Sequence, residues 1–323
     1  MLFSKYIIDQ FGKRILRRYD SDGAVFFYSA KDFEGLNATP FSFQNNLGHM
    51  LKGYFYSYNT PQEGQLVIFN HGMGEGGHRA YMREIEHLAR QGYLVYAYDH
   101  TGCMESEGDG INGFAQSLAD LDMCLRALKA DESYKGMKMS VIGHSWGGYA
   151  VLNVAAYHPD VAHVIALAGF RSIRHIHQQT MTGLLRLYVK DAYRLELRHN
   201  AAYADADAAN SLKNCSAQVL IVHSADDPTV SATLHHESLK KELAGKENIR
   251  FLTVSGKAHS PNYTDDAVQY KDGTFIPALL KGRKDGTLAT DEQKSAFIAS
   301  LDWKRMTEQD SAVWKEIFEV LEK

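Results

Sequence analysis

Past Pro61 the apolar residues fall into short runs at positions 66–69, 94–98, 137–142, 161–168, 219–222 and 249–254, each of strand length. Between them the spacing lengthens to that of helices. Tyr81, Ile85 and Leu88 mark one helical face, Phe114, Leu118, Leu121, Leu125 and Leu128 a second, and residues 234–243 a third. Strands alternating with amphipathic helices predict right-handed βαβ crossovers and an α/β domain, a mainly parallel central sheet with helices on both faces. Ahead of this, residues 24–58 favour strands. Positions 41–43 and 53–58 flank a turn-rich 44–48, which predicts an antiparallel hairpin at a sheet edge. The first twenty residues predict an amphipathic helix, with Ile7, Ile8, Phe11, Ile15 and Leu16 near one face, packed on the protein in preference to a membrane surface.

The alternation breaks twice. Residues 170–216, rich in Arg, His, Leu, Tyr and Ala, read as helices without a strand and predict a cap inserted late in the sheet. Residues 261–286 read as irregular. A final helix is expected from Thr307, whose T-x-x-D spacing to Asp310 is an N-cap signature, with Val313, Ile317 and Leu321 on its buried face. The domain reading is therefore a core formed by 1–169 and 217–323 around a cap of 170–216.

Composition narrows the partners. A net charge of -4 and a pI near 6.4 give no basic footprint for nucleic acid or anionic membrane, leaving a small-molecule substrate as the expected partner. Three cysteines, Cys103, Cys124 and Cys215, have neither disulfide-framework nor metal spacing and predict free thiols in a reducing compartment. With no signal-like or membrane-spanning stretch in the sequence, the expectation is a soluble, cytoplasmic protein without stable membrane insertion.

Candidate chemistry centres on Gly143-His144-Ser145-Trp146-Gly147, a G-x-S-x-G string between an apolar strand and small residues suited to a helix start. A strand-to-helix turn there would hold Ser145 in a strained conformation and leave no room for side chains at the two glycines. A serine hydroxyl needs a base within reach and an anion to orient that base. His259, in SGKAHSP just past a strand, is the expected base. Two carboxylates compete for the acid, Asp226 and Asp227 in VHSADDPTV; the register favours Asp227, with Asp226 an exposed neighbour or N-cap. The expected oxyanion donors are the backbone N–H groups of Trp146 and of Met73, the latter in the glycine-rich His71-Gly72-Met73-Gly74. That stretch lacks the Lys-Ser/Thr pair or G-x-G-x-x-G register of a phosphate loop. Of the fifteen histidines, His144 is expected to point away from the nucleophile. His175-x-His177 lacks acidic or cysteine co-ligands, so no metal and no organic cofactor are expected.

With these residues in place the chain resembles the α/β-hydrolase fold, in particular the monoacylglycerol lipase, lysophospholipase and serine aminopeptidase branch. HGMGEGGHRAYM resembles that branch's H-G-x-G-E followed by Arg and Tyr, here Arg79 and Tyr81. DHTGCMESEG resembles its D-H-x-G-x-G-x-S-E-G, and GHSWGG its elbow. The resemblance covers residues 64–259 and implies Ser145, Asp227 and His259 as triad, with Met73 and Trp146 as oxyanion hole. Met104 stands where the second motif has a glycine, a departure that predicts a differently running loop, and 261–286 is longer than the usual link to the final helix. The expected activity is a serine hydrolase acting on carboxylic esters of small to medium acyl groups. Leu184, Leu185, Leu187 and Tyr188 are candidates for an acyl pocket or for a face packed on the core, and Arg171 and Arg174 for contact with a substrate carboxylate. The rival enzyme is an aminopeptidase, which would hold a free amine on cap-side acids such as Glu75, Asp191 and Glu196. A rival of another class is a non-catalytic binding or sensor protein on the same fold.

Overall fold

The computed structural model describes residues 12, 13, 15–58 and 64–323. Ile7, Ile8 and Phe11 of the expected N-terminal helix lie outside these; Ile15 and Leu16 pack on the main core. Eight strands form one sheet: β1 (Leu36–Gln44), β2 (Met50–Tyr58), β3 (Gln65–Asn70), β4 (Leu94–Tyr98), β5 (Lys138–His144), β6 (His163–Leu167), β7 (Gln218–Ser224) and β8 (Ile249–Val254), in spatial order β1-β2-β4-β3-β5-β6-β7-β8. The hairpin β1–β2 is antiparallel and lies at the edge, and all pairs from β4 onward are parallel.

Alternation along the parallel strands divides the interior. Leu66, Ile68, Val141, Val164, Ala166, Val219 and Ile221 face one core, while Val67, Phe69, Ile142, Ile165, Leu167, Leu220 and Val222 face the other. The first core is covered by α2 (Gln116–Ala130) and α3 (Trp146–Val154), the second by α1 (Met82–Arg90) and by the last helix, α12 (Ser311–Leu321). Because both faces are covered, the strands read as continuous apolar runs.

Between β6 and β7 come α4 (Ile173–Thr180), a 3-10 turn (Gly183–Tyr188), α5 (Val189–Asn200) and α6 (Ala208–Lys213). Here Leu184, Leu185 and Leu187 are 84%, 45% and 76% exposed, so they neither form a core face nor line a closed pocket. The 3-10 turn is the reason: only Tyr188 at its end turns inward, onto Met181 and Ala192.

After β7 comes α7 (Ser238–Glu242), entered through a π turn. Beyond β8 the stretch expected to be irregular is helical: α8 (Asp265–Tyr270), a π turn (Lys271–Phe275) and α9 (Ile276–Asp285) follow without a break, and α10 (Asp291–Ala299) and α11 (Trp303–Met306) follow in turn. Thr264 caps α8 by accepting from the Ala267 N–H, and the wide π turn breaks the periodicity that would have announced a single helix. These helices build a third core, Phe275, Leu279, Leu288 and Met306 closing over Ala24. The cap of α12 is Asp310, which accepts from the N–H groups of Ala312 and Val313; Thr307 instead follows the end of α11.

Candidate active site

The C-terminal ends of β3, β5, β7 and β8 all open on one edge of the sheet, where parallel α/β folds place ligands. Ser145 follows β5 directly with φ 54° and ψ -110°. A β-carbon at Gly143 would stand 2.4 Å from the Gly147 carbonyl oxygen, and one at Gly147 2.2 Å from that of Asn70. Both glycines are thus required by backbone packing, as the strained turn demands.

His259 Nε2 lies 2.9 Å from Ser145 Oγ, and its Nδ1 lies 2.7 Å from Asp227 Oδ2. Since a carboxylate only accepts, Nδ1–H donates to Asp227 and Nε2 is left to accept the serine proton. Asp227 Oδ1 is held by the N–H groups of Thr229 (2.8 Å) and Val230 (2.9 Å), and His223 stands 3.4 Å from Oδ2. Burial pushes this carboxyl up, but hydrogen bonds from His223 and His259 and from the Val230 N–H outweigh it and leave Asp227 below the usual carboxylate range. Asp226 is exposed and does a different job. It accepts from Ser224 Oγ (2.6 Å), the Gly256 N–H (2.8 Å) and the Ala258 N–H (3.3 Å), tying the loop after β7 to the loop that carries His259.

The loop after β3 passes over the serine: a β-carbon at Gly72 would lie 3.3 Å from Ser145 Cβ. Among the described residues neither the Met73 N–H nor the Trp146 N–H has a hydrogen-bond acceptor. The Trp146 indole donates to the Phe114 carbonyl at 2.7 Å, fixing the start of α3. Behind the loop, Asp99 accepts from the His78 N–H (2.9 Å) and His78 Nδ1 (2.7 Å); burial raises its pKa, but the His78 charge and bonds bring it down to about 2. Met104, in glycine's place, takes φ 43°, the left-handed conformation a glycine adopts without strain. Its loop is held by the N-terminal segment, Arg18 Nη2 donating to the Met104 carbonyl and Met104 N–H to that of Tyr19 at 3.2 Å.

Sequence reasoning overlooked a relay beneath the elbow. The Gly72 N–H donates to the Tyr81 hydroxyl (3.1 Å), Tyr81 donates to His144 Nδ1 (2.9 Å), and His144 Nε2–H donates to the His259 carbonyl (2.7 Å). His144 does turn from the serine hydroxyl, but it turns onto the backbone of His259. Desolvation and the neighbouring His259 push its pKa down to about 3, so it stays neutral and keeps this tautomer. The elbow string and the Arg-Tyr motif contained both residues, yet only the fold makes them neighbours.

Several other candidates are occupied elsewhere. Arg171 pairs with Asp207 (2.9 Å) and with Glu242, its side chain 11% exposed, so it is not available to a substrate carboxylate; Arg174 pairs with Asp205 at 2.7 Å. Glu75 is bound to Arg283 (2.6 Å) and Asp191 to Arg194 (2.7 Å). Glu196 is buried and accepts from the N–H groups of Phe114 (2.9 Å) and Ala115 (3.2 Å). His175 Nδ1 lies 2.7 Å from Ser172 Oγ.

A family model described as serine aminopeptidase, S33, matches residues 61–204. Human monoglyceride lipase is 31% identical over 112 residues, which is 33% of this chain and 34% of that one. A monoglyceride lipase homolog of monkeypox virus is 30% identical over 98 residues, covering 30% and 34%. The chain thus spans about a third of the length of the curated relatives it matches. An esterase from Pyrococcus furiosus superposes with a TM-score of 0.58 at 17% identity, over 85% of this chain and 98% of that one. The chain has the α/β-hydrolase fold. Its sequence likeness is to the monoglyceride lipase branch, and the family match takes in Met73, Ser145 and Trp146 but stops short of Asp227 and His259. The placing of Asp227 and His259 beside Ser145 thus rests on geometry alone. Among the described residues no helix is long and apolar enough to cross a membrane.

Proposed function

We propose that this α/β-hydrolase cleaves carboxylic esters of small to medium acyl groups through an acyl-enzyme. Ser145 Oγ attacks the ester carbonyl while His259 Nε2 takes its proton; Asp227 holds the imidazole and stabilises the imidazolium. The N–H groups of Met73 and Trp146 donate to the tetrahedral oxyanion. His259 then returns the proton to the leaving alcohol, and a water, deprotonated by the same imidazole, attacks the acyl carbonyl and frees Ser145 and the acid. The observation that carries this reading is the continuous chain from Ser145 Oγ through His259 to Asp227, at 2.9 and 2.7 Å. The likeness to a monoglyceride lipase in sequence and to an esterase in fold favours an ester.

The family description names an aminopeptidase; of the acids that could hold a substrate amine, Glu196 is buried against the N–H groups of Phe114 and Ala115, Asp191 pairs with Arg194, and Glu75 pairs with Arg283 through Oε1 while its Oε2 has no hydrogen-bond partner among the described residues. A series of p-nitrophenyl esters of increasing chain length, run beside aminoacyl p-nitroanilides and with Ser145→Ala as control, tests the choice. Ester turnover lost in the variant is the expected result; faster turnover of the anilides would transfer the assignment to a peptidase.

A further inference from the structure

A cavity of about 190 Å³ lies away from the serine, between the segment before β1, the entry to α1 and the helices that follow His259. Phe26, Phe27, Phe275, Trp303, Met306 and Val25 give it apolar walls. Its charged lining residues are Arg79, Arg83 and Lys271, with no carboxylate among them. Arg79 donates to the main-chain carbonyls of Phe27 (3.2 Å) and Tyr28 (3.4 Å), and Arg83 Nε is buried without a hydrogen-bond partner. Among the described residues neither arginine forms an ion pair, and Lys271 has only the half-exposed Asp272, at 3.5 Å. Three cations around one apolar space repel one another, and the repulsion is relieved when an anion enters. A guanidinium next to an apolar wall also suits a planar carboxylate, which accepts two parallel N–H groups while its body stays dry.

We infer that this cavity binds a small monocarboxylate with an aromatic or short aliphatic body. The size agrees: a cavity of about 150 Å³ takes a benzene ring, and the larger space here leaves room for the carboxylate. Lys271 gives the site a line to the catalytic machinery. It opens the π turn and lines both this cavity and a second one, of about 180 Å³, that reaches His144 and His259. Its Nζ donates to Ser260 Oγ at 2.6 Å, next to the base. A carboxylate that draws Lys271 away from Ser260 loosens the loop carrying His259. The binding claim is independent of the ester-hydrolase reading, since it requires no turnover.

Calorimetric titration of Ser145→Ala protein with benzoate and hexanoate, beside benzyl alcohol and acetate, tests it. The expected result is saturable binding of benzoate or hexanoate, with the alcohol and acetate each weaker by roughly tenfold or more, because one lacks the charge and the other the body. Arg83→Gln and Lys271→Gln should each weaken the carboxylate by a similar factor while leaving the melting temperature of the unliganded protein within about a degree. Prior labelling of wild-type Ser145 with a fluorophosphonate should leave this binding intact. Equal affinity for acid and alcohol, or binding abolished by the fluorophosphonate and indifferent to both substitutions, would overturn the inference.

Discussion

Asp226 and Asp227 are adjacent, equally acidic in free solution, and set to different tasks by one residue of register. Asp227 is enclosed and bonded to His259, while Asp226 faces solvent and clasps two loops. Asp227→Asn should therefore lower kcat by about 10⁴, because an amide cannot hold the imidazole in the required tautomer. Asp226→Asn should stay within about tenfold of wild type; a reversed order in steady-state assays would exchange the two roles. Tyr81 offers a second separation: its hydroxyl makes no hydrogen bond to Ser145, but it accepts from the Gly72 N–H and donates to His144, so it steadies both the loop of Met73 and the backbone of His259. Tyr81→Phe should reduce kcat between about tenfold and a hundredfold with KM unchanged. An unaltered kcat with a lowered melting temperature would make the hydroxyl merely structural. The serine and the histidine were legible because their strand and loop contexts are local. Leu184, Leu185 and Leu187 misled because apolar spacing does not distinguish a helix face from a 3-10 turn standing in solvent. Met104, where the motif has a glycine, takes the left-handed conformation with φ 43°, a backbone state that its side chain gave no reason to expect.

At the level of elements, the parallel strands could be read directly because β3 to β7 are covered on both faces and are mostly apolar, while the partly buried edge strand β8 still carries Ile249, Phe251, Leu252 and Val254. The helices beyond His259 could not, because a π turn shifts the apolar register at Lys271–Phe275 and the face they bury is completed by Ala24 from the other end of the chain. Those helices lead into α12, whose cap also anchors the base loop: Asp310 accepts from two N–H groups of α12 and pairs with the buried Lys257 at 2.8 Å, two residues before His259. Asp310→Ala should cost about 1 kcal/mol for the cap alone, and more through the partner lost by Lys257. Urea denaturation would register it; a loss no larger than the cap value would mean that Asp265, 2.7 Å from Lys257, compensates for the lost partner.

For the whole molecule, two groups of carboxyls give stability opposite slopes with pH. Asp99 and Asp122 are both brought down to about 2: burial opposes this, but His78 in the first case and His158, Tyr203 and Arg126 in the second prevail. Their contribution is present above the ordinary carboxylate range and is lost as pH falls through about 2. Glu196 is raised to about 7 by burial, against the pull of the Phe114 and Ala115 N–H groups. Its contribution is present below its ordinary value of 4.5 and is lost as pH rises through about 7. Melting curves at pH 5 and pH 8 should show wild type losing stability at the higher pH relative to Glu196→Gln, and parallel curves would contradict the assignment. The central claim concerns three loops brought together from positions 145, 227 and 259. Its most direct test is to treat wild type and His259→Gln with a fluorophosphonate and map the adduct by peptide mass spectrometry. A single adduct on Ser145 in wild type, with labelling of folded His259→Gln slowed by orders of magnitude, is the predicted result. No adduct on folded wild type, or equal labelling of the two proteins, would contradict it.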